Sequence, residues 1–230
     1  MDPLVSTDAF QWSVLLPERR GSSLSGGPRP KATLLITTPE RGEEHLNVPL
    51  VVGKALQAEQ DAGKRVGESR AELLYHLREL SSRHASLRIE RLVNKRDYSV
   101  QELDDKLRMD GYHQAVRETV IGRAIDCGLV NDDRYASVFI RGKLAAGWGT
   151  TRIEHELMRK GIDVSKLSGW PSAYLDEEDE DSRALAIART RRISDKRGYE
   201  KLVRFLCNRG YSLGCSMRVA RQVIDESQAQ

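Results

Sequence analysis

The sequence predicts an all-α protein: an elongated array of three tandem three-helix repeats behind a poorly ordered N-terminal region that holds at most a short β element. Three observations carry this expectation. From about residue 69 onward, apolar residues recur at three- and four-residue spacing, the period of one helix face. Three glycines, Gly111, Gly161 and Gly210, close such runs at intervals of 50 and 49 residues. Aromatic residues make up only 6% of the 230, which suits helices packed by Leu, Ile, Val and Ala better than a β-sandwich.

Residues 1–68 differ from the rest of the chain. Gly21 to Pro30 reads GSSLSGGPRP, a flexible linker by composition. The stretch Ala32-Thr33-Leu34-Leu35-Ile36-Thr37-Thr38 is rich in β-formers and predicts a short strand, and Asn47 to Val52 a second. Gly53, Gly63 and Gly67 then punctuate the chain. Partial disorder is expected here.

A leading helix and a first repeat are expected over 69–128. Leu73, Leu74, Leu77 and Leu80 place an apolar stripe on one helix side, and Leu87, Arg88, Arg91, Leu92 and Lys95 continue on adjoining faces. Ser99-Val100-Gln101-Glu102 fits a capping box, in which a hydroxyl and a carboxylate each satisfy a free backbone N–H. Thr151-Arg152-Ile153-Glu154 fits the same box at a later helix start. Asn131 or Asp132 is placed to cap a helix running through Val138, Phe139 and Leu144. A second repeat is expected over 129–175, and an acidic loop with a third repeat over 176–230.

The glycines set the repeat. Gly111 follows Leu107 and Leu103 at minus four and minus eight; Gly161 follows Leu157 and Ile153, and Gly210 follows Leu206 and Leu202, at the same offsets. Each glycine precedes a large apolar residue: Tyr112, Ile162 and Tyr211. Residues four apart stack on one face of a helix. A left-handed glycine then reverses the chain, so the next apolar residue folds back on that face. One such unit has too little core to fold alone, whereas three stacked units share one. The unit boundaries fall near 83–128, 131–175 and 179–226.

The formal net charge is +3, but it is unevenly placed. Residues 81–230 sum to about +4, or about +10 without the acidic run Asp176-Glu177-Glu178-Asp179-Glu180-Asp181. A basic body of that kind attracts phosphate polymers. Cys127, Cys207 and Cys215 lack metal spacing, and their odd, sparse count points to buried thiols in a reducing compartment rather than a disulfide framework. No apolar run approaches the roughly 18 residues that span a membrane, and the N-terminus lacks a signal core. A cytoplasmic protein with no membrane partner and no cofactor is expected.

No catalytic constellation is visible, so a non-enzymatic role is expected. His45, His76, His84, His113 and His155 do not cluster with Cys or carboxylates at ligand spacing. Gly53-Lys54 invites comparison with a phosphate-binding loop, but Ala55 stands where Ser or Thr is required and the upstream glycine is missing. The basic residues are the candidate partner-binding or DNA-binding set. Arg141 and Lys143 close one helix, and Arg152, Arg159 and Lys160 lie on the next. Arg191, Arg192, Lys196, Arg197, Lys201, Arg204 and Arg209 form a dense group in the third unit. On an array they would track a phosphate backbone or an acidic protein groove, setting position and affinity without reading bases. The alternative is a solvated helix face. Tyr112, Tyr135, Tyr211 and Phe205 occupy core positions, with base stacking as the less favoured role.

Four runs resemble the RecX family. Its members read S-x-x-E-L-x-x-K-L-x-x-x-G-Y, and this chain has Ser99 to Leu107 as SVQELDDKL, followed by Gly111-Tyr112. The family run G-L-L-D-D-x-R-[FY]-A is met by Gly128 to Ala136 as GLVNDDRYA, leading to Phe139-Ile140-Arg141. Gly149 to Ile162 reads GTTRIEHELMRKGI, and Lys201 to Tyr211 reads KLVRFLCNRGY; both are similar to later family runs. The resemblance covers about residues 85–226, is most specific in the middle unit, and leaves the acidic run unmatched. It implies a bacterial regulator built of three-helix repeats that binds the RecA recombinase; a monomer is expected. Such a regulator lies along the groove of the RecA–DNA filament and dampens ATP hydrolysis and strand exchange in DNA repair and the SOS response. Two other readings stay open: a general DNA-binding helical repeat without RecA specificity, and a scaffold whose cations face an acidic protein.

Overall fold

The structure, a computed structural model, describes residues 10–18, 29–64, 66–175, 180–191 and 197–228. Two compact units divide it, Met1–Val130 and Asn131–Gln230.

In the first unit three strands form an antiparallel sheet in the order β1 (Gln11–Leu15), β2 (Lys31–Thr38), β3 (Gly42–Pro49). The register pairs Val14 with Leu34 and Leu34 with Leu46. Alternation along the central strand sends Ala32, Leu34 and Ile36 to one face, where all three are fully buried. Helix α1 (Leu50–Asp61) covers that face through Val52 and Leu56. It approaches closely because Gly53 opposes Ala32: a Cβ built on Gly53 would stand 2.3 Å from the Ala32 methyl. Residues 31–61 are therefore a strand–strand–helix layer where the sequence predicted little order. Only Asn47 to Pro49 of the second expected strand is a strand; Leu50 to Val52 starts the helix.

Helix α2 (Arg70–Val93) begins at Ser69, whose hydroxyl accepts the Glu72 N–H. It packs on α3 (Val100–Asp110) and α4 (Gln114–Asp126). The capping box expected at Ser99 and Glu102 is present in both directions. Leu103 and Leu107 are fully buried.

The second unit opens with α5 (Asp132–Ala145), capped by the Asn131 side chain, which accepts the Arg134 N–H at 2.8 Å. Helix α6 (Thr150–Met158) comes next, then a single 3-10 turn at Val164–Lys166. The box expected at Thr151–Glu154 does not form: the helix starts earlier, with Gly149 as N-cap and no side-chain cap, so Thr151 is already in the first turn. Tyr135, Ala136, Ile140, Ile153, Leu157, Ile162 and Leu167 make one core. Helices α7 (Glu180–Ala188), α8 (Gly198–Arg209) and α9 (Leu213–Gln228) share a second core around Ala184, Leu202, Leu206, Tyr211 and Val219. Two bidentate ion pairs tie α7 and the turn after it to α9, Asp181 to Arg218 at 2.7 Å and Arg189 to Glu226 at 2.6 and 3.1 Å.

All three repeat glycines are left-handed, with φ of 93°, 78° and 92° at Gly111, Gly161 and Gly210. Each makes the same two backbone bonds. Gly111, Gly161 and Gly210 donate to the carbonyls of Arg108, Met158 and Cys207, three residues back. Tyr112, Ile162 and Tyr211 donate to Leu107, Leu157 and Leu206. That pair of bonds is a Schellman ending, and it explains why the residue after each glycine is apolar and buried: it packs back on the helix it has just left.

Candidate functional site

The cations singled out in the sequence fall into two groups in the second unit. The first group lies where the end of α5, the start of α6 and the end of α8 meet. Gly149 N–H donates to the Arg209 carbonyl at 2.8 Å. A Cβ on Gly149 would stand 2.2 Å from the Gly210 carbonyl carbon and oxygen, and one on Gly210 would stand 2.3 Å from Arg152 Cβ. Two backbone turns are thus in direct contact, and only hydrogen side chains fit between them.

Four cations surround this contact. Arg152 stacks its guanidinium 3.8 Å from the Trp148 ring centroid and donates to the Asn208 carbonyl at 3.0 Å. Lys143 Nζ lies 4.6 Å from the same ring. Arg209 donates to the Ala146 carbonyl at 2.8 Å and lies 5.3 Å from the Phe205 ring, and Arg191 lies 4.4 Å from that ring. Such cation–ring contacts contribute about 0.5–1 kcal/mol each when exposed. Arg152 and Arg209 also satisfy carbonyls at helix ends, where the helix itself supplies no donor. Trp148 was not singled out from the sequence; its signal there is its place between Gly147 and Gly149, with Lys143 five residues before and Arg152 four after.

The second group is directed outward. Arg141, Arg197 and Arg204 are exposed, as is Lys201. Arg159 is exposed and meets Glu156 at 3.2 Å. An exposed pair of this type contributes about 0–1 kcal/mol and leaves the guanidinium accessible. Lys160 is half-buried, 5.7 Å from the Tyr135 ring. Arg152 and Arg159 are therefore not equivalent despite their shared helix face. Arg192, Lys196 and residues 176–179 of the acidic run lie outside the described residues; Glu180 and Asp181 serve as first-turn residues of α7.

Tyr112, Tyr135 and Tyr211 are core residues at 8% exposure or less, and burial raises the Tyr112 phenol to about 12. Of the thiols expected to be buried, Cys215 is, and burial with Asp181 beside it pushes it up to about 12. Cys207 is half-buried, but Cys127 is exposed, because it is the C-cap of α4 and has left the helix face. Gly53 and Lys54 belong to α1, not to a loop. Among the described residues no group of three or more His, Cys, Asp or Glu is placed to hold a metal, and no helix is long and apolar enough to cross a membrane.

Comparison with known proteins adds to this geometry. The family model described as RecX, second three-helix domain, matches residues 131–165, which hold α5, α6 and most of the 3-10 turn. The protein named Regulatory protein RecX in Vibrio parahaemolyticus is 34% identical over 139 residues, covering 58% of this chain and 85% of that protein. The protein of the same name in Corynebacterium efficiens is 29% identical over 202 residues, covering 82% and 94%. A crystal structure of regulatory protein RecX superposes with a TM-score of 0.55 at 15% identity, over 93% of this chain and 97% of that one. That of RecX from Lactobacillus salivarius gives 0.52 at 20% identity, over 62% and 96%. At these identities the structures speak to the fold.

Proposed function

We propose, since the chain belongs to the RecX family, that it binds RecA filaments on DNA and restrains their ATP hydrolysis and strand exchange, as a monomer in the cytoplasm. The relatives carry the name of a regulatory protein, and a regulatory role follows for this chain. The observation that carries the finer reading is the set of outward cations on α5, α6 and α8, held on helices whose ends meet at the Gly149–Gly210 contact. Arg141, Arg159, Arg197, Lys201 and Arg204 would meet phosphates or acidic side chains of the filament groove, while Arg152 and Arg209 hold the surface that presents them. Contacts of this kind position a protein on a polymer without reading sequence.

We also infer that 83–128, 131–175 and 179–226 are three versions of one helical module. Their identical glycine endings support this, as do the matched buried pairs Leu103–Leu107, Ile153–Leu157 and Leu202–Leu206. The first module borrows the second half of α2 as its opening helix, and the second ends in a 3-10 turn in place of a helix.

A general DNA-binding role is the alternative, favoured by the exposed cations of α8. Cosedimentation separates the two. A filament regulator is retained by RecA–DNA filaments at salt concentrations that release it from naked DNA. Equal retention on both, falling together with salt, supports the general binder.

A further inference from the structure

In the first unit, the start of α1, the second half of α2 and the end of α3 line an open cavity of about 420 Å³. That volume is within the range of small-molecule sites. Pro30, Pro49, Leu50 and Val51 give it an apolar wall. Four cations, Arg29, Lys54, Arg88 and Arg91, line it against one carboxylate, Asp110, a formal balance of +3. Asp110 is already engaged, accepting from Arg29 at 2.5 Å and from Arg88 at 2.9 Å. The side chains of Lys54, His84 and Arg91 make no hydrogen bond or ion pair with any described residue.

The charge is concentrated by the secondary structure. His84, Arg88 and Arg91 are spaced four and three apart and share one face of α2. Helix α1 starts at the apolar wall with Pro49 as N-cap and no side-chain cap, so its positive end adds to the same field. The His84 ring is held below the ordinary imidazole range chiefly by burial, with smaller contributions from Arg83 and from Arg91 of the same cavity.

The occupant must satisfy both features. Inorganic phosphate would leave the apolar wall bare, and a monocarboxylate would leave most of the charge unmatched. A nucleoside diphosphate or triphosphate carries about −3 to −4 near neutral pH beside a flat apolar base, which fits charge and wall together. We propose that this cavity binds a nucleoside polyphosphate, with its phosphates at Lys54, His84 and Arg91 and its base against Pro30, Pro49, Leu50 and Val51. Binding without hydrolysis is assigned. Ala55 follows Lys54 where a metal-binding hydroxyl is required, and the single carboxylate is locked between two arginines. All of its lining residues belong to the first unit.

Isothermal titration of the full chain with ADP, adenosine and inorganic phosphate, in chelator without magnesium, tests the proposal. ADP is expected to bind saturably below about 1 mM, at least about tenfold tighter than adenosine or phosphate. The double variant Lys54→Ala with Arg91→Ala should weaken ADP at least about tenfold while thermal unfolding stays unchanged. Arg204→Glu, on α8, should leave ADP binding intact. The proposal is overturned by absence of saturation, by ADP binding that the double variant leaves intact, by loss on Arg204→Glu, or by phosphate binding as tightly as ADP.

Discussion

Arg152 and Arg209 each cap the end of a helix other than their own, on either side of the Gly149–Gly210 contact. Arg152 reaches from the first turn of α6 to the Asn208 carbonyl near the end of α8. Arg209, at that end, reaches back to the Ala146 carbonyl that closes α5. Both lie in the cationic set that the sequence offers for partner binding, and both are engaged within the protein.

These two residues should therefore behave as structural. Arg152→Ala and Arg209→Ala are each expected to lower stability by about 1–2 kcal/mol, through removal of a hydrogen bond and of cation–ring stacking. Urea unfolding measures this. Unchanged midpoints would mean that both guanidinium groups are solvated and available to a partner.

The glycines separate steric from conformational cost. Gly149 has an ordinary φ of −77°, yet its Cβ would strike the Gly210 backbone, so Gly149→Ala should cost about 3 kcal/mol or more. Gly128 has a φ of 71° with open space around it, so Gly128→Ala should cost only about 1 kcal/mol. Thermal or urea denaturation of the two variants decides it; equal losses would deny the close approach of the two turns.

That approach also marks how far the sequence could be read. The Schellman endings were legible because they are local: Leu107, Gly111 and Tyr112 sit within six residues, and geometry repeats with spacing. The joint was not, since Arg152 meets Asn208 across 56 residues and no periodicity encodes that. The sheet was legible only at its centre. In β2 the alternation of Ala32, Leu34 and Ile36 is visible, whereas β3 reads GEEHLNVP and joins the sheet only through its register. Leu50-Val51-Val52 read as strand by β-branching, but packing of Val52 and Leu56 on β2 overrode that preference. Of the cationic set, charge was legible and engagement was not.

The outward cations should govern binding and not folding. The triple variant Arg141→Glu, Arg197→Glu and Arg204→Glu is expected to weaken filament and DNA binding with its unfolding temperature unchanged. For every phosphate no longer neutralised, the slope of log affinity against log salt should become shallower by about 0.9. A slope identical to that of the original chain would make these residues a solvated face.

Alkaline pH should destabilise the first unit through Tyr112. Its phenol is raised from 10.0 to about 12, burial being the main cause and Asp110 the next. The folded state thus holds the proton more tightly than the unfolded chain. Its contribution is fully present below pH 10 and is lost as pH rises towards 12. Tyr112→Phe should flatten that decline and remove the last-titrating tyrosine from the ultraviolet absorbance titration. A Tyr112 that ionises with the exposed tyrosines would contradict the burial argument.

The outward cations of the second unit, on helices braced by Arg152 and Arg209, are proposed to engage and restrain a recombinase filament. DNA-dependent ATP turnover by RecA of the same organism tests it most directly. The chain should suppress turnover in a dose-dependent way, and the triple variant at Arg141, Arg197 and Arg204 should suppress it at least about tenfold less effectively. Undiminished turnover at several-fold excess of the chain, or equal suppression by the triple variant, would contradict it.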